Sequence, residues 1–194
     1  MMTKEAIIDQ ISDTYAPLSA ACKEQLAGHA TLLPLHKNTL LVKEGEYADS
    51  TYYIVKGCAR AYYLREGKDI SDWFAFEGEF ISSIVSFFTQ RPSPHYIELL
   101  EDCILLELSR DHIEKVSGQF HDFEHLVRIV VTQTMLRLQE KISSLQFYTA
   151  RQKYENILAI RPNITQRVAL THIASYLGIS LETLSRIRNP RNRI

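Results

Sequence analysis

The chain is 194 residues long, 45% hydrophobic and 23% charged, which is one or two domains of globular composition and neither a disordered nor a fibrous protein. It has no apolar stretch near the ~20 residues of a membrane span, no apolar core within residues 1–15 and no short cysteine spacing (Cys22, Cys58, Cys103), so membrane, secreted and disulfide-rich classes are excluded and a reducing cytoplasm is expected. The net charge of −1 divides into −7 over residues 1–149 and +6 over residues 150–194, a basic tail that fits either a polyanionic partner or a solvated face of arginines.

Residues 3–15 and 19–28 read as two short helices, with apolar positions at Ile7, Ile8 and Ile11 and at Ala21 and Leu26. After Pro34 the period shortens. Residues 40–42, 52–55, 59–64, 73–76, 96–100 and 104–108 are runs rich in β-branched and aromatic side chains, separated by glycine-bearing turns at 44–46, 56–57, 66–68 and 77–79. That spacing predicts an all-β sandwich or barrel. Ser109 is placed to cap a helix over 110–116.

From about 120 to 145 the chain has no proline or glycine, and Phe123, Leu126, Val127, Val130, Val131, Met135, Leu138, Ile142 and Leu145 recur at gaps of three and four. A helix of ~26 residues is ~39 Å long, more than a small β-domain covers. Pairing with a second copy is the sharper reading, and an intramolecular core helix is the alternative. A further helix fits 150–160, before Arg161, Pro162 and Asn163 stop it.

Residues 170–189 carry the most information. Ile173, Leu177, Ile179, Leu184 and Ile187 are apolar, Ala174 is small where two helices would cross, and Gly178 sits where the chain must turn. Ser180 can cap the second helix, with Glu182 in its first turn. The pattern predicts a helix–turn–helix: a helix near 169–177, a turn at 178–180 and a second helix near 181–189. Glu182, Ser185 and Arg186 then share one face, opposite Leu184 and Ile187. Arginine can bond guanine O6 and N7, a carboxylate can accept from cytosine N4, and serine suits either kind of edge. A helical hairpin with a solvated polar face is the bland alternative.

Two stretches carry a family resemblance. Leu41-Val42-Lys43-Glu44-Gly45-Glu46-Tyr47-Ala48-Asp49 through Tyr52-Tyr53-Ile54-Val55-Lys56-Gly57 resembles the glycine-framed hairpins of cyclic-nucleotide-binding β-rolls. Ser180-Leu181-Glu182-Thr183-Leu184-Ser185-Arg186 resembles the recognition helix of Crp–Fnr transcription regulators. The resemblance spans essentially the whole chain and implies an α+β protein: an antiparallel, jelly-roll-like β-roll sensor with flanking short helices (1–117), a dimerisation helix (118–147) and a helix–turn–helix domain (148–194). It further implies a homodimer on a roughly palindromic operator in double-stranded DNA. Glu182, Ser185 and Arg186 would be the base readers, with Ser180, Leu181, Arg188 and Arg191 also at the DNA. Glu-x-x-Ser-Arg is similar to the Fnr branch, whose half-sites resemble TTGA(T/C), whereas Leu181 stands where the catabolite-activator branch has arginine. Eight residues follow Arg186, so the family's last wing strands are expected to be missing. An activator would also touch RNA polymerase, through a surface the residues do not mark.

The resemblance places an effector pocket at Gly78, Glu79, Arg91, Ser93, Leu138 and Gln139. Gly78 and Glu79 match the pair that caps the phosphate–ribose pocket in nucleotide-binding members. The phosphate arginine falls on Ser93, with Arg91 two residues away, and the purine-reading Thr-Ser pair falls on Leu138 and Gln139. A buried phosphate without its cation is costly to hold, so cyclic AMP is not the expected effector and no cofactor is assigned. Another small ligand or a filled pocket remains open. The cysteine cluster of iron–sulfur members is absent, Cys58 and Cys103 read as core residues, and His121 with His125 lacks a third metal ligand. His36 and His95 likewise have no partner histidine at metal-ligand spacing, and a cupin-type enzyme would need a ligand cluster that is not here. A β-roll whose helix–turn–helix serves protein contact is the alternative function.

Overall fold

The computed structural model describes residues 2–189. Helices α1 (Lys4–Thr14) and α2 (Ala20–His29) precede eight strands: β1 (Thr31–Leu35), β2 (Leu40–Val42), β3 (Ser50–Lys56), β4 (Ala59–Arg65), β5 (Lys68–Ala75), β6 (Phe80–Ile81), β7 (Tyr96–Leu99) and β8 (Cys103–Ser109), with α3 (Ile84–Thr89) between β6 and β7. Then follow α4 (Arg110–Ser117), α5 (His121–Phe147), α6 (Ala150–Ile160), α7 (Ile164–Arg167), α8 (Leu170–Tyr176) and α9 (Leu181–Arg188).

The strands form two four-stranded antiparallel sheets, ordered β1-β8-β3-β6 and β2-β7-β4-β5. This is the expected α+β architecture. Side-chain oxygens end the helices where the sequence supplies them: Thr3, Ser19, Ser109 and Ser180 accept from backbone N–H groups three residues on, and Thr149 with Gln152 forms a capping box. Gly57 has φ +101°, and a Cβ there would overlap the Cys103 sulfur, so the β3–β4 turn admits only glycine.

Several elements depart from the sequence expectation, β1, β5, α3 and α7 among them. β1 starts at Thr31 and runs through Pro34, which sits opposite Ile104 on an edge strand, where its missing donor costs no ladder bond. β5 begins at Lys68, five residues before the apolar run, because β4 and β5 continue as a hairpin beyond the core. α3 and α7 are too short for a period to mark them. The expectation about wing strands concerns residues outside the described ones.

The interior has three apolar clusters. One joins α1, α2 and the start of α5 to the roll through Ile7, Ile8, Leu26, Leu106, Phe123 and Leu126. The second lies between the sheets, around Ile54, Ala61, Ile97, Leu99 and Leu105. The third packs Phe74 and Phe76 of the roll against Tyr154, Ile164, Ile173 and Leu184, so the C-terminal helices share a core with the sheet. α5 is 27 residues long, and past Leu126 none of its side chains is fully buried. Among the described residues no helix is long and apolar enough to cross a membrane.

Candidate nucleic-acid interface and effector pocket

The helix–turn–helix forms as α8, a turn and α9. Gly178 takes φ +65°, and the Ile179 N–H donates to the Ala174 carbonyl at 3.0 Å, closing the corner. Leu184 is fully buried with Ile173 and Leu177, and Ile187 is half-buried beside them. Glu182, Ser185, Arg186 and Arg188 are exposed, as is Leu181. Glu182 and Arg186 pair along the helix, an i,i+4 contact that orients the guanidinium while adding little stability. The Ser180 hydroxyl accepts the Thr183 N–H at 3.1 Å, so its place is the cap. Arg191 lies outside the described residues.

The basic tail is partly engaged inside the molecule. Arg167 makes two forks, to Glu101 (2.8 and 2.7 Å) and to Glu77 (2.8 Å on both oxygens), and Arg161 pairs with Glu79. Lys153 is buried and donates to the Leu145 carbonyl at 3.3 Å. The charge asymmetry of the sequence therefore has an intramolecular component, with tail cations held by acids of the roll. On the other side of the same contact, Arg60 is 2% exposed. It donates to Asp69 (2.6 and 2.8 Å), Glu98 (2.9 and 2.5 Å), Ser71 (3.0 Å) and His172 Nδ1 on α8 (2.7 Å), and lies 4.1 Å from the Tyr62 ring centroid. Burial first, and then Arg60, push the His172 pKa below its ordinary value, leaving a neutral imidazole able to accept that bond. Ser175 ties α8 to β5 again, accepting from the Ser71 N–H at 2.9 Å and donating to the Asp69 carbonyl at 3.0 Å.

Glu77 reports on this contact. Burial alone would raise its pKa, but the Arg167 fork and the Gly57 N–H outweigh burial and hold it down to about 2. A carboxyl depressed in the fold adds stability above its unfolded value and loses it as the pH falls. Chemical denaturation should therefore show stability declining from about pH 4.5 toward pH 2, and Glu77→Gln should flatten that decline. An unchanged acid limb in Glu77→Gln would remove Glu77 from this role.

The six expected pocket residues do not converge. Gly78 has φ +84°, its N–H donates to the Ile54 carbonyl at 2.9 Å, and its own carbonyl accepts from the Tyr15 hydroxyl at 2.8 Å. Glu79 is buried, accepts from the Phe76 N–H at 3.0 Å and pairs with Arg137 (2.6 Å) and Arg161 in a crevice between the roll and α6. Arg91 and Gln139 are exposed. Ser93 is buried with its hydroxyl already bonded, to Ser83 Oγ at 2.8 Å and to the His95 carbonyl at 2.7 Å. Of the six, only Leu138 lines a second cavity, about 320 Å³ between the roll, α1 and α5.

Sequence reasoning passed over two residues. Arg60 is a lone cation in the apolar run 59–64, which was the available signal. His95 carries no local signal beyond the lack of a partner histidine at metal-ligand spacing.

Comparison with known proteins bears on the fold. Residues 32–119 match the cyclic nucleotide-binding domain family. The anaerobic regulatory protein of Haemophilus influenzae is 24% identical over 169 residues, covering 79% of this chain and 64% of that protein. The chain thus spans less than two thirds of that relative. The regulatory protein HlyX of Actinobacillus pleuropneumoniae is 25% identical over 171 residues, covering 79% of this chain and 68% of that one. Among solved structures, FixK2 from Bradyrhizobium japonicum superimposes with a TM-score of 0.68 at 20% identity, covering 83% of each chain.

Proposed function

We propose that the chain is a sequence-specific DNA-binding transcription regulator of the Crp–Fnr type, not an enzyme, acting as a homodimer on a roughly palindromic operator. The observation that carries the reading is the split of α9: Leu184 is fully buried while Glu182, Ser185 and Arg186 stand exposed together on the outer side. A short helix with a polar outer face is what a major groove admits. In this reading residues 1–117 are the sensor, 118–147 the dimer helix and 148–194 the DNA-binding part, with Arg188 and Arg191 meeting phosphates. A salt titration of duplex binding tests it, because each phosphate contact steepens the fall of log K with log salt by ~0.9. A protein-contact module would show no such salt-dependent duplex binding.

The dimer has its own support. Val131, Met135, Leu138, Ile142 and Leu145 follow gaps of four and three along α5, and all but the half-buried Leu138 are exposed. This is the spacing of a two-helix seam. Val130 belongs to the other side, half-buried against the first core cluster. Met135→Glu, 59% exposed in the single chain, should leave the fold intact and shift sedimentation from dimer to monomer. An unchanged dimer in this variant would place the interface elsewhere.

A further inference from the structure

We propose that the cavity between the β-roll, α1 and α5 binds an uncharged, largely apolar small molecule whose single polar group is hydrogen-bonded by His95. This deepens the regulatory reading, on which it rests only for what binding does to DNA recognition.

The cavity, about 320 Å³, is at the small end of the range of ligand sites. Ala61, Trp73, Phe87, Leu106 and Leu138 are among its apolar walls. Its other polar side chains are largely engaged: Asp72 holds Lys141 at 2.6 Å, and the Thr134 hydroxyl donates to the Val130 carbonyl at 2.9 Å. His95 differs. It lines the cavity, is 6% exposed, and neither ring nitrogen has a hydrogen-bond partner.

Buried polar groups are almost always paired, so two orphaned nitrogens on one side chain ask for an occupant. A lone water is a poor one, because it needs two to four polar partners and this wall is mostly apolar, with Asp72 and Thr134 already engaged. An anion is excluded on the same geometry. Ser93 stands where a phosphate cation would be needed and its hydroxyl is taken, Arg91 is exposed, and Arg137 and Arg161 are bound to Glu79. Burial keeps the His95 imidazole neutral, with one donor and one acceptor to offer an uncharged group. Phe88, Val131 and Met135 edge the cavity and are exposed in the single chain. The last two belong to the seam that a second copy would cover, so occupancy and dimer geometry meet at one place.

Trp73, the chain's single tryptophan, lies in the wall and serves as the reporter. The probe is N-phenyl-1-naphthylamine, an uncharged apolar amine with one N–H, titrated into the full chain without DNA. Saturable quenching of Trp73 at one probe per chain is expected, undisturbed by millimolar cyclic AMP. His95→Phe should weaken the probe about tenfold, as loss of one hydrogen bond would. Ala61→Leu should abolish binding while the melting temperature holds or rises, and Leu138→Phe serves if Ala61→Leu does not fold. Absence of saturable quenching, displacement by cyclic AMP, or equal affinity in wild type and the filled-cavity variants would overturn the proposal. Because no DNA is present, a failed operator assay does not count against this result.

Discussion

Arg186→Ala should cost ~1–3 kcal/mol of DNA affinity per half-site and relax the preference at one base pair, leaving the others intact. The reason is geometric. Arg186 is exposed on the outer side of α9, and its partner Glu182 is one turn earlier on the same face. Together they present a fork for guanine and an acceptor for cytosine N4, with Ser185 beside them. A carboxylate facing DNA is repelled wherever no donor meets it, so Glu182→Ala should broaden the accepted sequences more than it weakens the best one. Arg188, near the end of the helix, should behave differently. Its removal should weaken all duplexes alike and reduce the salt slope by about one unit. Binding to a library of operator variants separates the two behaviours. A uniform loss in Arg186→Ala would make that arginine a backbone contact and undo the assignment of α9.

The second large effect is expected at Arg60. Replacing it with alanine leaves Glu98 and Asp69 beside each other without their cation, and breaking a buried pair of this kind costs ~3–5 kcal/mol. The lower end is expected, since the Asp69 and Glu98 side chains are 37% and 20% exposed and keep some water. His172 and Ser71 also lose their donor, which loosens α8 from the roll. Urea unfolding measures the loss. Arg60→Met combined with Asp69→Asn and Glu98→Gln should recover most of it, because no unpaired charge then stays inside. A loss below about 1 kcal/mol in Arg60→Ala would mean the cluster acts as an ordinary surface pair.

The parts of this fold that were legible in the sequence are those decided within a few residues. Alternating apolar runs with glycine turns gave the strands, gaps of three and four gave α5, and the helix–turn–helix announced itself through Ala174, Gly178, Ser180 and Leu184. What was missed depends on distant partners. Pro34 hid β1 because a proline is tolerated only once the strand is known to be an edge. The arginine tail read as either solvated or open to a polyanion, yet Arg161 and Arg167 meet acids about 60 to 90 positions earlier in the chain, pairings that no local window contains. Glu79 matched the nucleotide-capping pair by position, and only the fold shows it turned toward Arg137 and Arg161. His95 was unreadable for the opposite reason: its importance lies in the partners it lacks, and an unsatisfied group is visible only when every neighbour is placed.

Sequence-specific recognition of DNA by a two-fold protein is the central claim, and selection of bound duplexes from a random pool tests it most directly. Two inverted half-sites with centres about one helical turn apart should be enriched, each with a G·C pair that Arg186→Ala no longer selects. Their affinity should exceed that for scrambled duplexes by roughly 10³ or more at physiological salt. Recovery of no common sequence, with equal affinity for selected and scrambled duplexes, would contradict the account.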